Sequence, residues 1–111
     1  MSTNLYETIT SDQFIDRVVV PQEDALVKIS TAWSGAGQML CHTLKELATE
    51  YSGKVNFYSV EHEADSELTI NYRVDTIPTL LFFKKGTLVD KLSGLTHRHI
   101  IADKINQLVN A

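Results

Sequence analysis

Hydrophobic positions along the chain switch between two periods. Residues 11–20, "SDQFIDRVVV", open on Ser11 as an N-cap and carry Phe14, Ile15 and Val18 at helical spacing until Pro21 forbids continuation. A short first helix is predicted. "ALVKIST" (25–31) is apolar on both faces apart from Lys28 and Ser30, the pattern of a strand covered on two sides. Leu40, Leu44, Leu47, Ala48 and Tyr51 recur at i, i+4, i+7, i+8 and i+11, so a helix over 35–51 turns one stripe inward before Gly53 stops it. "KVNFYSV" (54–60) alternates as a strand, and "DSELTINYRV" (65–74) reads as a short helix with Leu68 and Tyr72 inward.

"IPTLLFF" (77–83) and "TLVDKLSG" (87–94) flank Lys85-Gly86 and read as a hairpin. Thr96 is the expected cap of a last helix that carries Ile101, Ile105 and Leu108 inward. The predicted order is αβαβαββα. Strands joined through helices need crossovers and pair in parallel, whereas the hairpin is antiparallel. The pattern therefore predicts an α/β fold whose mixed central sheet carries helices on both faces. No repeat or low-complexity segment interrupts it.

The length, 111 residues, suits a single domain spanning 1–111 with no linker and a core that needs no metal or disulfide staple. No apolar run approaches a membrane span. The opening "MSTNLYETIT" lacks a basic start and an apolar stretch, which makes the cytoplasm the expected address. A formal charge of −4 argues against a phosphate backbone as the main partner, so nucleic acid is not expected. Cys41 is the only cysteine, which rules out a disulfide within the chain, and four scattered histidines show no zinc spacing.

The order of elements, with "AWSGAGQML" after the first core strand and "DTIPTLLFFKKG" opening the hairpin, resembles thioredoxin from end to end. That family's signature is a Trp-Cys-Gly-Pro-Cys loop at a helix N-terminus, faced by a cis proline. Trp33 and Gly35 match the first motif and Ile77-Pro78-Thr79 the second, while Gly94 matches a glycine bordering the family's substrate groove. The resemblance implies the thioredoxin fold and a peptide groove formed by Trp33, Ser34, Gly35, Ala36, Ile77, Pro78 and Gly94.

The departures cluster in one machine. Ser34 stands where the resemblance places the nucleophilic cysteine, Gly37 at the resolving cysteine and Ala36 at the proline. Lys28 occupies the position of a buried aspartate thought to move a proton, and Ser59 that of its lysine partner. Ser34 does not substitute as a nucleophile, since an alkoxide forms far less readily than a thiolate and no local histidine is placed as its base. Its expected role is an N-cap, and no residue is assigned a catalytic role.

Several residues admit two readings. Cys41 lies about 10 Å down the helix from Ser34 at 1.5 Å per residue, either packed as a small apolar side chain or open to glutathionylation or an intermolecular disulfide. Lys28, a charged amine in a covered strand, either snorkels to water or threads upward through the space left by Gly37 to lie beneath residues 34–37, with its pKa lowered by burial and by the helix end. Trp33 is either a core aromatic or the rim of the groove. Proline has no ladder donor, which leaves Ile77 free to pair with an extended peptide. The acidic run Glu61, His62, Glu63, Asp65 and Glu67 reads as a solvated turn with no metal geometry, and "THRH" (96–99) as exposed surface.

Two functions follow. One is a redox-inactive binding module, chaperone-like or acting in redox homeostasis, that holds a protein or peptide ligand without a cofactor, as a monomer or weak dimer. The other is a thiol-disulfide oxidoreductase working through Cys41 or a partner's thiol. Removal of the cysteines by engineering fits less well, because Lys28 and Ala36 change with them.

Overall fold

The computed structural model describes residues 5–111; Met1 to Asn4, part of the stretch read for a leader, lie outside the described residues. Its elements are β1 (Tyr6–Ile9), α1 (Ser11–Phe14), β2 (Ala25–Ser30), α2 (Gly35–Glu50), β3 (Asn56–Glu61), α3 (Glu67–Asn71), β4 (Thr79–Lys84), β5 (Thr87–Ser93) and α4 (Arg98–Val109). The five strands form one mixed sheet in the order β1-β3-β2-β4-β5. β1 and β2 pair in parallel with β3, and β4 runs antiparallel to both β2 and β5.

Alternation along the central strands divides the interior in two. Val27, Ile29, Leu81 and Phe83 face one way and meet Phe14, Val18 and Leu68. Leu26, Leu80, Phe82 and Phe57 face the other way against Leu40, Leu44 and Leu47 of α2 and Ile101 and Ile105 of α4. Lys28 and Ser30, at even positions of β2, therefore point to the α2 side.

The boundaries correct the sequence reading in several places. β1 was not predicted: four residues at a sheet edge carry little pattern of their own, and their register comes from β3, as in Ile9 opposite Val60. The first helix is capped by Thr10 rather than Ser11; Thr10 accepts from the Gln13 amide at 3.1 Å while the Gln13 side chain accepts from the Thr10 amide at 2.9 Å. After Phe14 the backbone widens into a π-helical turn, Ile15–Val19, so Phe14 and Val18 are buried and Ile15 is exposed. α3 is shorter than predicted and is capped by Ser66. β3 begins at Asn56 and β4 only at Thr79, which leaves Ile77 and Pro78 outside the sheet. At the last helix the cap position is His97, and the Thr96 hydroxyl donates instead to the Gly94 carbonyl at 3.3 Å.

The hairpin turn is as expected. Lys85 and Gly86 both have positive φ, 52° and 80°, the two-residue turn that matches strand twist. Glycine is required at 86, where a Cβ would lie 2.9 Å from the Val19 carbonyl oxygen.

Candidate functional site

Strand register gathers the signature residues at one end of the sheet. Ile29 pairs with Thr79, and Thr79 with Ser93. The loop after β2, the segment before β4 and the residue after β5 therefore emerge side by side. There the Ile77–Pro78 peptide is cis, and the Gly94 amide donates to the Pro78 carbonyl at 2.7 Å. Among the described residues, neither the amide nor the carbonyl of Ile77 takes part in a hydrogen bond.

Trp33, 80% exposed, and Leu95, 53% exposed, flank this segment on the two neighbouring loops. The 31–34 loop is held by the Gln38 side chain, which donates to the Ala32 carbonyl at 2.9 Å. Ser34 caps α2, its hydroxyl accepting from the Gly37 amide at 3.0 Å. One backbone donor at the positive end of the helix is thereby already taken. Gly35 and Ala36 complete the first turn, Gly35 exposed and Ala36 half-buried.

Beneath this turn Lys28 is buried, and its Nζ donates to the Gly37 carbonyl at 3.3 Å. The Nζ also stands 5.8 Å from the ring centroid of Tyr6. Burial pushes the amine below the usual lysine range; Cys41 and Glu61 pull it back, and Lys45 adds to the lowering. The amine thus lies under residues 34–37, but not by the route inferred from sequence. The space above the strand is filled by Ser30: a Cβ at Gly37 would stand 3.0 Å from Ser30 Cβ and overlap its hydroxyl. Lys28 passes beside that position and ends on the carbonyl.

A cavity of about 210 Å³ opens at this point, lined by Lys28, Ser30, Thr31, Cys41, Ser59 and Glu61 among others. A second depression, about 370 Å³, lies on the other side of Cys41 against Met39, His42 and Lys45. Cys41 is half-buried between them, its thiol free.

A family model described as Thioredoxin matches residues 6–107. The chain belongs to the thioredoxin family. It is 30% identical over 107 residues to thioredoxin 2 of Chlorobaculum tepidum, a match covering 96% of this chain and 97% of that one. Over 82 residues it is 32% identical to a thioredoxin of Staphylococcus aureus, covering 74% and 79% of the two chains. It is 28% identical over 102 residues to the chloroplastic M-type thioredoxin of Pisum sativum, and that match spans 91% of this chain and 59% of the pea protein.

Set against the thioredoxin signature, the chain keeps Trp33, Gly35 and the cis Ile77–Pro78 peptide and holds a single cysteine, Cys41, away from the loop. Lys28 and Ser59 are register partners on β2 and β3. Sequence reasoning overlooked Tyr6, Ser30 and Thr31. Ser30 was legible only as an interruption of an apolar strand; its i+2 relation to Lys28 places both on one face, which was the available signal. The residues of the acidic run lie at the surface or half-buried, and among the described residues no three His, Cys, Asp or Glu side chains are placed to hold a metal ion. No helix among them is long and apolar enough to cross a membrane.

Proposed function

We propose that this thioredoxin-family chain binds an extended peptide segment of a protein non-covalently, in the groove bounded by Trp33, residues 34–37, Ile77-Pro78 and Gly94. The observation that carries the reading is the unpaired main chain of Ile77 beside an 80% exposed tryptophan, where neither loop position bears sulfur. An incoming strand gains two main-chain hydrogen bonds at Ile77 and covers apolar surface on Trp33 and Leu95. Ser34 holds the loop in shape by capping α2 and performs no chemistry. No covalent intermediate forms, so release is governed by these contacts alone.

This reading extends to a chaperone-like role in a reducing compartment, the cytoplasm, where a lone thiol stays reduced. It also describes a monomer or weak dimer that takes no cofactor. Nucleic acid and membrane are not partners in it.

Trp33 is the only tryptophan, so its fluorescence reports on the groove directly. Titration with a permanently unfolded, carboxymethylated polypeptide is expected to give a saturable change in emission, weakened at least tenfold (~1.4 kcal/mol) in Ile77→Asp. Emission that never responds refutes the groove. Disulfide reduction of insulin by the wild type, lost in Cys41→Ser, would instead establish the oxidoreductase, which the position of Cys41 between two depressions favours.

A further inference from the structure

We propose that the cavity under the first turns of α2 is an oxidative modification site, in which peroxide converts Cys41 to a sulfenic acid and the Lys28 amine captures it as a sulfur–nitrogen (sulfenamide) link. The reading does not depend on peptide binding in the groove.

Two independent observations define the site. Gly37 and Cys41 are i and i+4 in α2, so the Cys41 amide donates to the same Gly37 carbonyl that Lys28 Nζ reaches at 3.3 Å. Lys28 and Cys41 are thus both anchored at the Gly37 carbonyl, one by its amine and one by its backbone amide, and both residues line one cavity. Their electrostatic coupling, with Cys41 acting on the Lys28 amine, follows from that proximity. Separately, Ser30 and Thr31 line the same cavity, are 4% and 9% exposed as residues, and carry buried hydroxyls with no hydrogen-bond partner among the described residues. Buried hydroxyls left unpaired are costly. The cavity's about 210 Å³ admits hydrogen peroxide with room to spare.

The chemistry balances. Burial lowers the affinity of the Lys28 amine for its proton; in its uncharged form the amine accepts the Cys41 thiol proton, and the thiolate attacks one peroxide oxygen. The O–O bond breaks, hydroxide leaves and takes the proton back from Lys28 as water; sulfur has lost two electrons and peroxide has gained them. The Lys28 lone pair then attacks the sulfenic sulfur, the S–O bond breaks, and the departing hydroxide removes an amine proton as a second water. One thiol, one amine and one hydrogen peroxide yield one S–N link and two waters. An added thiol reverses it by attacking sulfur and releasing the amine. In a chain that cannot form an internal disulfide, Lys28 takes the place of the resolving group.

The full chain treated with dilute hydrogen peroxide is expected to lose two hydrogens (about 2 Da) and regain them with dithiothreitol. Proteolysis of the same material is expected to yield a fragment joining the Lys28 and Cys41 peptides, a readout that requires no variant. Lys28→Arg, which keeps the charge without a nucleophilic amine, is expected to accumulate oxygen additions of about 16 Da each in place of the loss. Oxygen additions alone in the wild type, a Cys41-linked dimer, a fragment joining Cys41 to Lys45, or the same loss persisting in Lys28→Arg would each overturn the proposal.

Discussion

Ser30 occupies the space in which a side chain at Gly37 would begin. Its Cβ lies 3.0 Å from where a Cβ at 37 would stand, with its hydroxyl closer still. Gly37 is buried and sits in the first turn of α2, so a side chain there could enter only by displacing Ser30 or the helix. The missing side chain at 37 and the serine beneath it form one packing solution.

Gly37→Ala is therefore expected to destabilise by about 1–3 kcal/mol despite alanine's better helix propensity. Urea unfolding measures this. Combining it with Ser30→Gly is expected to recover part of the loss, a coupling that a double-mutant cycle detects. The same overlap predicts that Gly37→Cys, in a variant also carrying Ser34→Cys, restores disulfide turnover poorly until Ser30 is reduced to glycine.

Lys28→Met is expected to stabilise the fold by about 1 kcal/mol at neutral pH, since a buried amine whose charged form burial disfavours is exchanged for an apolar side chain of similar reach. The sign of the pH dependence follows from burial, which lowers the folded-state value below the ordinary 10.5. Below the folded value both states carry the proton and the penalty on the wild type is complete. As pH rises through that value the native state sheds its proton first, so the penalty shrinks, and above 10.5 it is gone. The advantage of Lys28→Met should fade in that window. An advantage constant up to pH 11 would show that the amine is not desolvated.

Ser34→Ala removes the cap of α2 and frees the Gly37 amide, with an expected loss of about 1 kcal/mol. Ser34→Asp should be at least neutral, because a carboxylate accepts the same amide and meets the positive helix end. Thermal unfolding of both variants separates a capping role from a chemical one.

Gly86→Ala is expected to destabilise by about 1–3 kcal/mol, through positive φ and a Cβ pressed onto the Val19 carbonyl. The loss should appear in denaturant unfolding without altering Trp33 emission in the native state, as the turn lies at the opposite end of the sheet from the groove.

The sequence was most legible where burial repeats. Leu40, Leu44, Leu47 and Ala48 are buried as their spacing predicts, and so are Ile101, Ile105 and Leu108. Lys85-Gly86 turns the hairpin because few residue pairs accept two positive φ angles. Caps were less legible: Thr10 displaced Ser11, and His97 stands where Thr96 was expected, since neighbouring polar residues offer a helix several starts. In the candidate site, the cis peptide before Thr79 and the cap at Ser34 were both readable from local motifs.

By itself, then, the sequence determined the alternation of strands and helices, the family's loop and proline motifs, and the absence of an internal dithiol, since these are properties of neighbours along the chain. Only the tertiary structure decided that β1 joins the sheet edge, that Ser30 rather than Lys28 fills the space under Gly37, and that Lys28 and Cys41 open into one cavity. Those facts depend on which side chains the sheet register and the seating of α2 press together, and no period in the sequence records that distance.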